Sequence, residues 1–279
     1  MNLSEGQNYY DQIQEASDFL RPHLIGEIPI GLVLGTGLAS VEKEIESSWS
    51  VSYKEIPHFP ESTVEGHTGR LIVGLWDGVP IIALAGRFHY YEGYSTKELT
   101  FPIRVLRALG VEKIFLSNAS GSTNAQIEAG DLVVVKDHIN LHPENPLRGQ
   151  NDNRLGIRFP DMLRAYDPEL RKLAMDCANA LGLDLKQGVY VGLQGPNLET
   201  PAEYKFINII GGDLVGMSTV PEVIAAVHSG MSVFCISVVS NKCYPIEGLS
   251  ETTIEEVLDV VNASSSRMIS LVRAMLKKI

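Results

Sequence analysis

Short apolar runs set between stretches of helical spacing constrain this chain most. Residues 28–34, 113–116, 132–135, 189–193 and 233–239 are rich in Val, Ile and Leu with little polar interruption. That is the pattern of strands covered on both faces. Residues 71–75 and 79–85 flank Trp76-Asp77-Gly78 and predict a hairpin. Helical periodicity fills the intervals. Tyr9–Leu20 is amphipathic, residues 97–109 stop at Gly110, and Pro168–Leu181, 201–210, 221–229 and 254–278 follow. Residues 38–46 read as a further helix. The alternation runs without linker or repeat. It predicts one α/β domain over residues 1–279, a three-layer αβα arrangement around a central mixed, largely parallel sheet.

Composition narrows the partners. The chain has 279 residues, 44% hydrophobic, enough for a large core. A net charge of −11 argues against nucleic acid as a partner, though a local Arg and His cluster can still hold a small anion. No apolar run reaches the roughly 20 residues of a membrane span. The first 20 residues are polar and acidic with no signal-peptide core, so a cytoplasmic protein is expected. Cys177, Cys235 and Cys243 are odd in number and match no zinc spacing. They read as buried free thiols, and neither a metal nor a cofactor is expected.

Polar residues cluster where the apolar runs end. Glu199 lies between Gly195-Pro196 and the helix-opening Pro201, so it belongs on a loop. Ser218 follows one apolar stretch and Ser240-Asn241 another, which suggests a ligand site at one edge of a sheet. Taken singly, each is as well explained by a turn or a helix cap; taken together they are not. Gly35-Thr36-Gly37 follows a strand, but Ser40 stands at the third glycine position of a dinucleotide fingerprint, so that reading fails. The turn still suits an anion. Arg87 and His89 are two apart and face one side if the chain stays extended. A fork of N–H donors with a nearby imidazole fits phosphate. The plainer alternative is a surface pair of Arg87 with Glu92. Asn118-Ala119-Ser120-Gly121-Ser122 reads as a small-residue loop, either a plain turn or a close backbone approach to a ligand. The stretch 137–167 reads as long and irregular.

Together these motifs resemble the low-molecular-weight, trimeric purine nucleoside phosphorylases that act on 6-oxopurine nucleosides. The resemblance runs from about Ile30 to the C-terminal helix. It rests on Leu34-Gly35-Thr36-Gly37-Leu38, Gly66-His67-Thr68-Gly69-Arg70, Gly86-Arg87-Phe88-His89, Tyr91-Glu92-Gly93-Tyr94, Asp137-His138-Ile139-Asn140-Leu141, Glu199-Thr200, Gly216-Met217-Ser218-Thr219-Val220-Pro221-Glu222 and Ser240-Asn241. It implies the nucleoside phosphorylase fold and reversible phosphorolysis of inosine or guanosine, and of 2′-deoxy forms, with inorganic phosphate as co-substrate. It also implies a homotrimer.

By the same resemblance, Thr36, His67, Arg87, His89, Ala119 and Ser218 hold phosphate. Tyr91, Val215, Met217 and Ser240 line the nucleoside site. Glu199 accepts from purine N1–H, and Asn241 bonds N7 of the leaving base, so Asn241, Glu199 and His89 are the expected catalytic set. Phe159 matches a phenylalanine given to the neighbouring subunit's ribose site; its plainer alternative is a loop anchor. Two positions depart from the family. Leu198 stands where many relatives have an aromatic residue, and Ile254 where many have a histidine near the ribose 5′-hydroxyl. Methylthioadenosine phosphorylases typically carry Asp where this chain has Asn241. They remain the alternative enzyme, beside a non-catalytic nucleoside-binding protein.

Overall fold

The computed structural model describes residues 8–35, 39–61 and 68–279. The strands are β1 (Ile30–Leu34), β2 (Glu46–Ser52), β3 (Arg70–Trp76), β4 (Val79–Ala85), β5 (Lys113–Ser122), β6 (Leu132–Asn140), β7 (Leu185–Gly192), β8 (Leu214–Gly216) and β9 (Ser232–Lys242). They form one sheet in the order β2-β3-β4-β1-β5-β8-β7-β6-β9, and β5 also pairs with β9. The second half therefore closes on itself: from β5 through β8, β7 and β6 to β9 and back. Pairings β1–β4, β1–β5, β5–β9, β6–β7 and β7–β8 are parallel; β2–β3, β3–β4, β5–β8 and β6–β9 are antiparallel. The sheet is mixed, as expected.

The helices are α1 (Tyr9–Leu20), α2 (Thr96–Leu99), α3 (Phe101–Ala108), α4 (Pro168–Leu181), α5 (Pro201–Ile209), α6 (Val220–His228) and α7 (Ile254–Leu276). Alternate strand residues feed opposite layers. Val33, Val233 and Cys235 pack with α1, α3 and α6. Ile30, Leu32, Phe234 and Ile236 pack with α4 and α7. Apolar burial on both faces stabilises the sheet by roughly 25 cal/mol per Å² removed from water. All three cysteines are buried and free.

Several local expectations need correction. Residues 97–109 form two helices, because Pro102 in the first turn of α3 has no N–H to continue the ladder from α2. The Thr100 hydroxyl donates instead to the Thr96 carbonyl at 2.7 Å. Residues 39–44, within the 38–46 stretch expected to be helical, form a 3-10 helix. The small residues 118–122 are not a loop but the end of β5. Their smallness serves packing: a Cβ on Gly121 would lie 2.6 Å from Cys243 Sγ. Two strands escape a sequence reading. Strand β2 is largely exposed and polar, and β8 has three residues.

Candidate active site

One cavity opens where β4, β5, β8 and β9 end. On one side lie Arg87 and His89, both buried. Arg87 does not pair with Glu92. Its Nε and Nη2 lie 3.1 and 2.9 Å from the two carboxylate oxygens of Glu222, and its Nη1 donates to the Ser117 carbonyl at 2.6 Å. Glu222 sits in the first turn of α6, where it also accepts from Thr219 N–H at 3.0 Å. A buried cation is thus fixed by an internal carboxylate. Glu92 in turn positions the His89 ring. It lies 3.0 Å from Nδ1 and accepts the His89 backbone N–H at 2.7 Å. The His89 ring stacks on Tyr91, centroids 4.7 Å apart. Burial pushes the Tyr91 phenol up to about 12, so it stays protonated at neutral pH.

Across from them, Ala119 of β5 and Ser218 beyond β8 complete the wall. Thr219 has φ of 70°, a left-handed conformation uncommon outside glycine. This sharp turn places Ser218 at the N-terminus of α6, where backbone N–H groups and the helix dipole favour negative charge. Asn118 Nδ2 donates to Thr219 Oγ1 at 2.9 Å and holds the turn against β5.

Asn241 is aimed by a β-bulge. Ser120 pairs with Val239, but Gly121 pairs with Asn241, so Ser240 is the extra residue. The Ser240 hydroxyl lies 2.7 Å from Asn241 Oδ1 and 3.1 Å from the Ser120 carbonyl. Asn241 Nδ2 is 3.2 Å from Cys243 Sγ. With Oδ1 accepting from Ser240, the amide nitrogen is the donor; it also lies 3.5 Å from Thr252 Oγ1, so a ligand would compete with these two weak contacts for its protons.

Glu199 lies on the loop before α5, as its flanking turn and proline predict. Burial raises its carboxyl above the ordinary range, opposed by hydrogen bonds from its own backbone and from Tyr204. Gly195 makes the loop possible. Its φ is 64°, and a Cβ there would lie 2.4 Å from Met217 Sδ. Met217 and Val215 line the floor, and Leu198 and Ile254 the mouth. Both mouth residues are more than half exposed.

The cavity therefore gathers Arg87, His89, Tyr91, Ala119, Leu198, Glu199, Val215, Met217, Ser218, Ser240, Asn241 and Ile254. Phe159 is elsewhere: it is 85% exposed, beside a hollow that also holds His138 and Arg148. Thr36 and His67 lie outside the described residues. Tyr204, Cys243 and Thr252 also line the cavity without a site role expected from the sequence; behind it Glu222 has none either, and Glu92, weighed as a surface partner of Arg87, holds His89 instead. Glu222 closes one of the motifs, and Glu92 is the second residue of Tyr91-Glu92-Gly93-Tyr94. A buried arginine needs a carboxylate beside it, and that is the available signal.

Residues 29–277 match the phosphorylase superfamily. The chain is 48% identical to purine nucleoside phosphorylase 1 of Geobacillus stearothermophilus, over 95% of this chain and 98% of that one. It is 41% identical to the mouse purine nucleoside phosphorylase over 99% and 97% of the two chains. It superposes with a TM-score of 0.92, at 36% identity and 97% coverage of both chains, on isoform 2 of the Schistosoma mansoni enzyme, solved with cytosine and ribose-1-phosphate. The chain belongs to the phosphorylase superfamily, and within it to the purine nucleoside phosphorylases. It has the single-domain α/β fold of that family and is a pentosyltransferase.

Proposed function

We propose that this site catalyses reversible phosphorolysis of 6-oxopurine nucleosides, inosine and guanosine and their 2′-deoxy forms. The products are the free base and (deoxy)ribose 1-phosphate. One observation carries the reading: an anion cradle of Arg87 and His89 and a purine clamp of Glu199 and Asn241 share a single cavity. Phosphate sits between Arg87, His89, the Ser218 hydroxyl and the Ala119 N–H, with Thr36 and His67 contributing as in the family. Tyr91 and Met217 border the ribose.

A phosphate oxygen bonds to the ribose anomeric carbon as the glycosidic C–N bond breaks. The electron pair of that bond enters the purine, which leaves as the free base by taking up a proton, equal to the one the attacking monohydrogen phosphate gives up. Asn241 Nδ2–H donates to N7 and stabilises the charge that develops there. Holding phosphate and sugar in line removes much of the entropic barrier. Ionised Glu199 accepts from N1–H of hypoxanthine or guanine. Adenine has no proton at N1 and would set acceptor against acceptor. A mismatch of this kind in a built site can reach about 10⁴–10⁵-fold discrimination.

The same reading makes the active unit a homotrimer. Phe159, Ile157 and Leu163 are 85%, 67% and 88% exposed, an apolar surface that a neighbouring copy would cover, with Phe159 entering that copy's ribose site. A uric-acid-coupled assay with inosine tests the chemistry. Turnover is expected only with phosphate present, and adenosine should be used far more slowly. Equal turnover without phosphate would mark a hydrolase; adenosine used as well as inosine would remove the role given to Glu199. Sedimentation equilibrium tests the trimer, and a monomer at assay concentration would refute it.

A further inference from the structure

The two residues assigned to the base, Glu199 and Asn241, sit on separate elements, the loop before α5 and the end of β9. Two further side chains join them. Tyr204 of α5 and Cys243, just past β9, are buried and line the same cavity. The Tyr204 hydroxyl hydrogen-bonds the Glu199 carboxylate and also the Cys243 thiol. Asn241 Nδ2 lies 3.2 Å from Cys243 Sγ.

The protons make these contacts run one way. A phenol has one proton to give, and a carboxylate is a far stronger acceptor than a thiol. Tyr204 Oη–H therefore donates to Glu199 and keeps lone pairs for the sulfur's proton. Burial pushes the Cys243 thiol up to about 11, so it holds that proton at neutral pH and can donate it to Oη. Burial, with Cys243 and Glu199 alongside, likewise holds the Tyr204 phenol far above its ordinary range. The sulfur accepts in turn from Asn241 Nδ2–H. Each group thus donates to the next, from Asn241 through Cys243 and Tyr204 to Glu199.

Packing fixes the middle of this chain. The Tyr204 ring belongs to a buried cluster with Val191, Ile207, Val215 and Cys243. The Cys243 backbone N–H donates to the Ser122 carbonyl at 2.7 Å. Gly121 leaves room for the sulfur beside the amide: a Cβ there would lie 3.5 Å from Asn241 Oδ1 and closer still to Sγ. The other carboxylate near Glu199, Glu203 of α5, accepts from Thr200 N–H at 2.8 Å. Arg87, His89 and Tyr91 line the anion side.

We propose that Tyr204 and Cys243 are positioning residues for the base, tying Glu199 to Asn241 through hydrogen bonds so that carboxylate and carboxamide hold one spacing across the purine. The proposal rests on the base roles given above to Glu199 and Asn241. N1 and N7 belong to one rigid ring, so a clamp that grips both must match their separation, and a loop and a strand end do so best when linked.

Carboxyl ¹³C NMR on the full chain without ligand reads Glu199 directly, its signal assigned by its loss in Glu199→Gln. Tyr204→Phe keeps the ring and removes the hydroxyl. The Glu199 titration should move to higher pH, because a hydrogen bond that favours the ionised form is gone. The KM for inosine at neutral pH should rise about tenfold, with the KM for phosphate unchanged. Cys243→Ala should lower kcat for inosine by about 2–10-fold, since Asn241 loses an acceptor that aims its amide. Cys243→Ser accepts and donates as the thiol does, and should recover most of that loss. The cysteine variants also cover the case in which Tyr204→Phe fails to fold. In kcat/KM, the double variant Tyr204→Phe, Cys243→Ala should fall short of the product of the two single losses, as linked groups do. A Glu199 titration in Tyr204→Phe that coincides with wild type would overturn the proposal. So would a double loss equal to the product, or Cys243→Ser as slow as Cys243→Ala. A wild type that binds no hypoxanthine, while Tyr204→Phe still moves the Glu199 titration, would remove the base role and leave the link in place.

Discussion

The two sides of the catalytic cavity are built in opposite ways. On the anion side, Arg87 and His89 are buried, and each is held by a carboxylate of its own chain, Glu222 and Glu92. On the base side, Glu199 stands on a loop, with Leu198 and Ile254 half in solvent at the mouth. On the proposed reading, these two carboxylates preorganise the Arg87 and His89 side for an anion. The base side is assembled from a glycine-hinged loop, a bulge and the first residue of α7, so it can differ in detail while the anion side stays the same. Stability and catalysis should accordingly separate between the two sides.

The largest effect is expected from Glu222→Gln. It leaves the Arg87 guanidinium buried without its counter-charge, which costs about 3–5 kcal/mol. Urea denaturation should show that loss, and the KM for phosphate should rise because the fork is no longer fixed. Stability within about 0.5 kcal/mol of wild type would mean that the pair does not organise the anion side. Asn241→Ala comes next, and it should act on rate alone. Loss of one donor to a developing negative charge lowers kcat by about 10²–10³-fold. The melting temperature should barely move, because Asn241 hangs from a bulge and its nearest partners are the neighbouring Ser240 and Cys243. A wild-type kcat would remove Asn241 from the mechanism.

Glu199 gives a smaller effect with a characteristic pH dependence. Burial raises its carboxyl, and only the ionised form accepts from purine N1–H. That form is lost as pH falls through the raised pKa, so the KM for inosine should begin to climb at a higher pH than an exposed carboxylate would allow. Glu199→Gln should flatten this rise. Stability runs the other way. A folded-state pKa above the unfolded value gives a contribution present below the unfolded pKa and lost as pH rises through the folded one. Glu199→Gln should therefore melt about 1–2 °C higher at neutral pH. A KM that is flat with pH in wild type would contradict the assignment.

The same contrast explains what the sequence made legible. Runs such as residues 233–239 declare buried strands by composition alone, and Glu199 declares its loop through Gly195-Pro196 before it and Pro201 after it. The cluster of Arg87, His89, Glu199 and Asn241 could be anticipated because Arg87, His89 and Asn241 come just after apolar runs and Glu199 lies on a loop between a turn and a helix-opening proline. Tertiary packing decided what local pattern could not. Glycine, alanine and serine at residues 118–122 look like a turn, yet they are strand because Cys243 and β8 press against them. Glu222 is separated from Arg87 by 135 residues, and no local signal joins them. The closure of β5 onto both β8 and β9 is likewise invisible to periodicity, which reports faces and not neighbours.

The smallest effect expected lies at the mouth. Ile254 is the first residue of α7 and 59% exposed, and it stands where the resemblance places a histidine beside the ribose 5′-hydroxyl. A hydrocarbon side chain offers that hydroxyl no hydrogen bond. A neutral hydrogen bond contributes only about 0.5–1.5 kcal/mol in any case. Removing the hydroxyl from the substrate should then matter little: 5′-deoxyinosine is expected within about tenfold of inosine in kcat/KM. Ile254→His should widen the gap by supplying the donor, raising the preference for inosine by about 2–10-fold without moving the KM for phosphate. A drop of more than about a hundredfold on 5′-deoxyinosine with the wild-type protein would exceed any single neutral hydrogen bond. It would mean that the 5′-hydroxyl is read by a charged group, and that the mouth is as firmly organised as the anion side opposite.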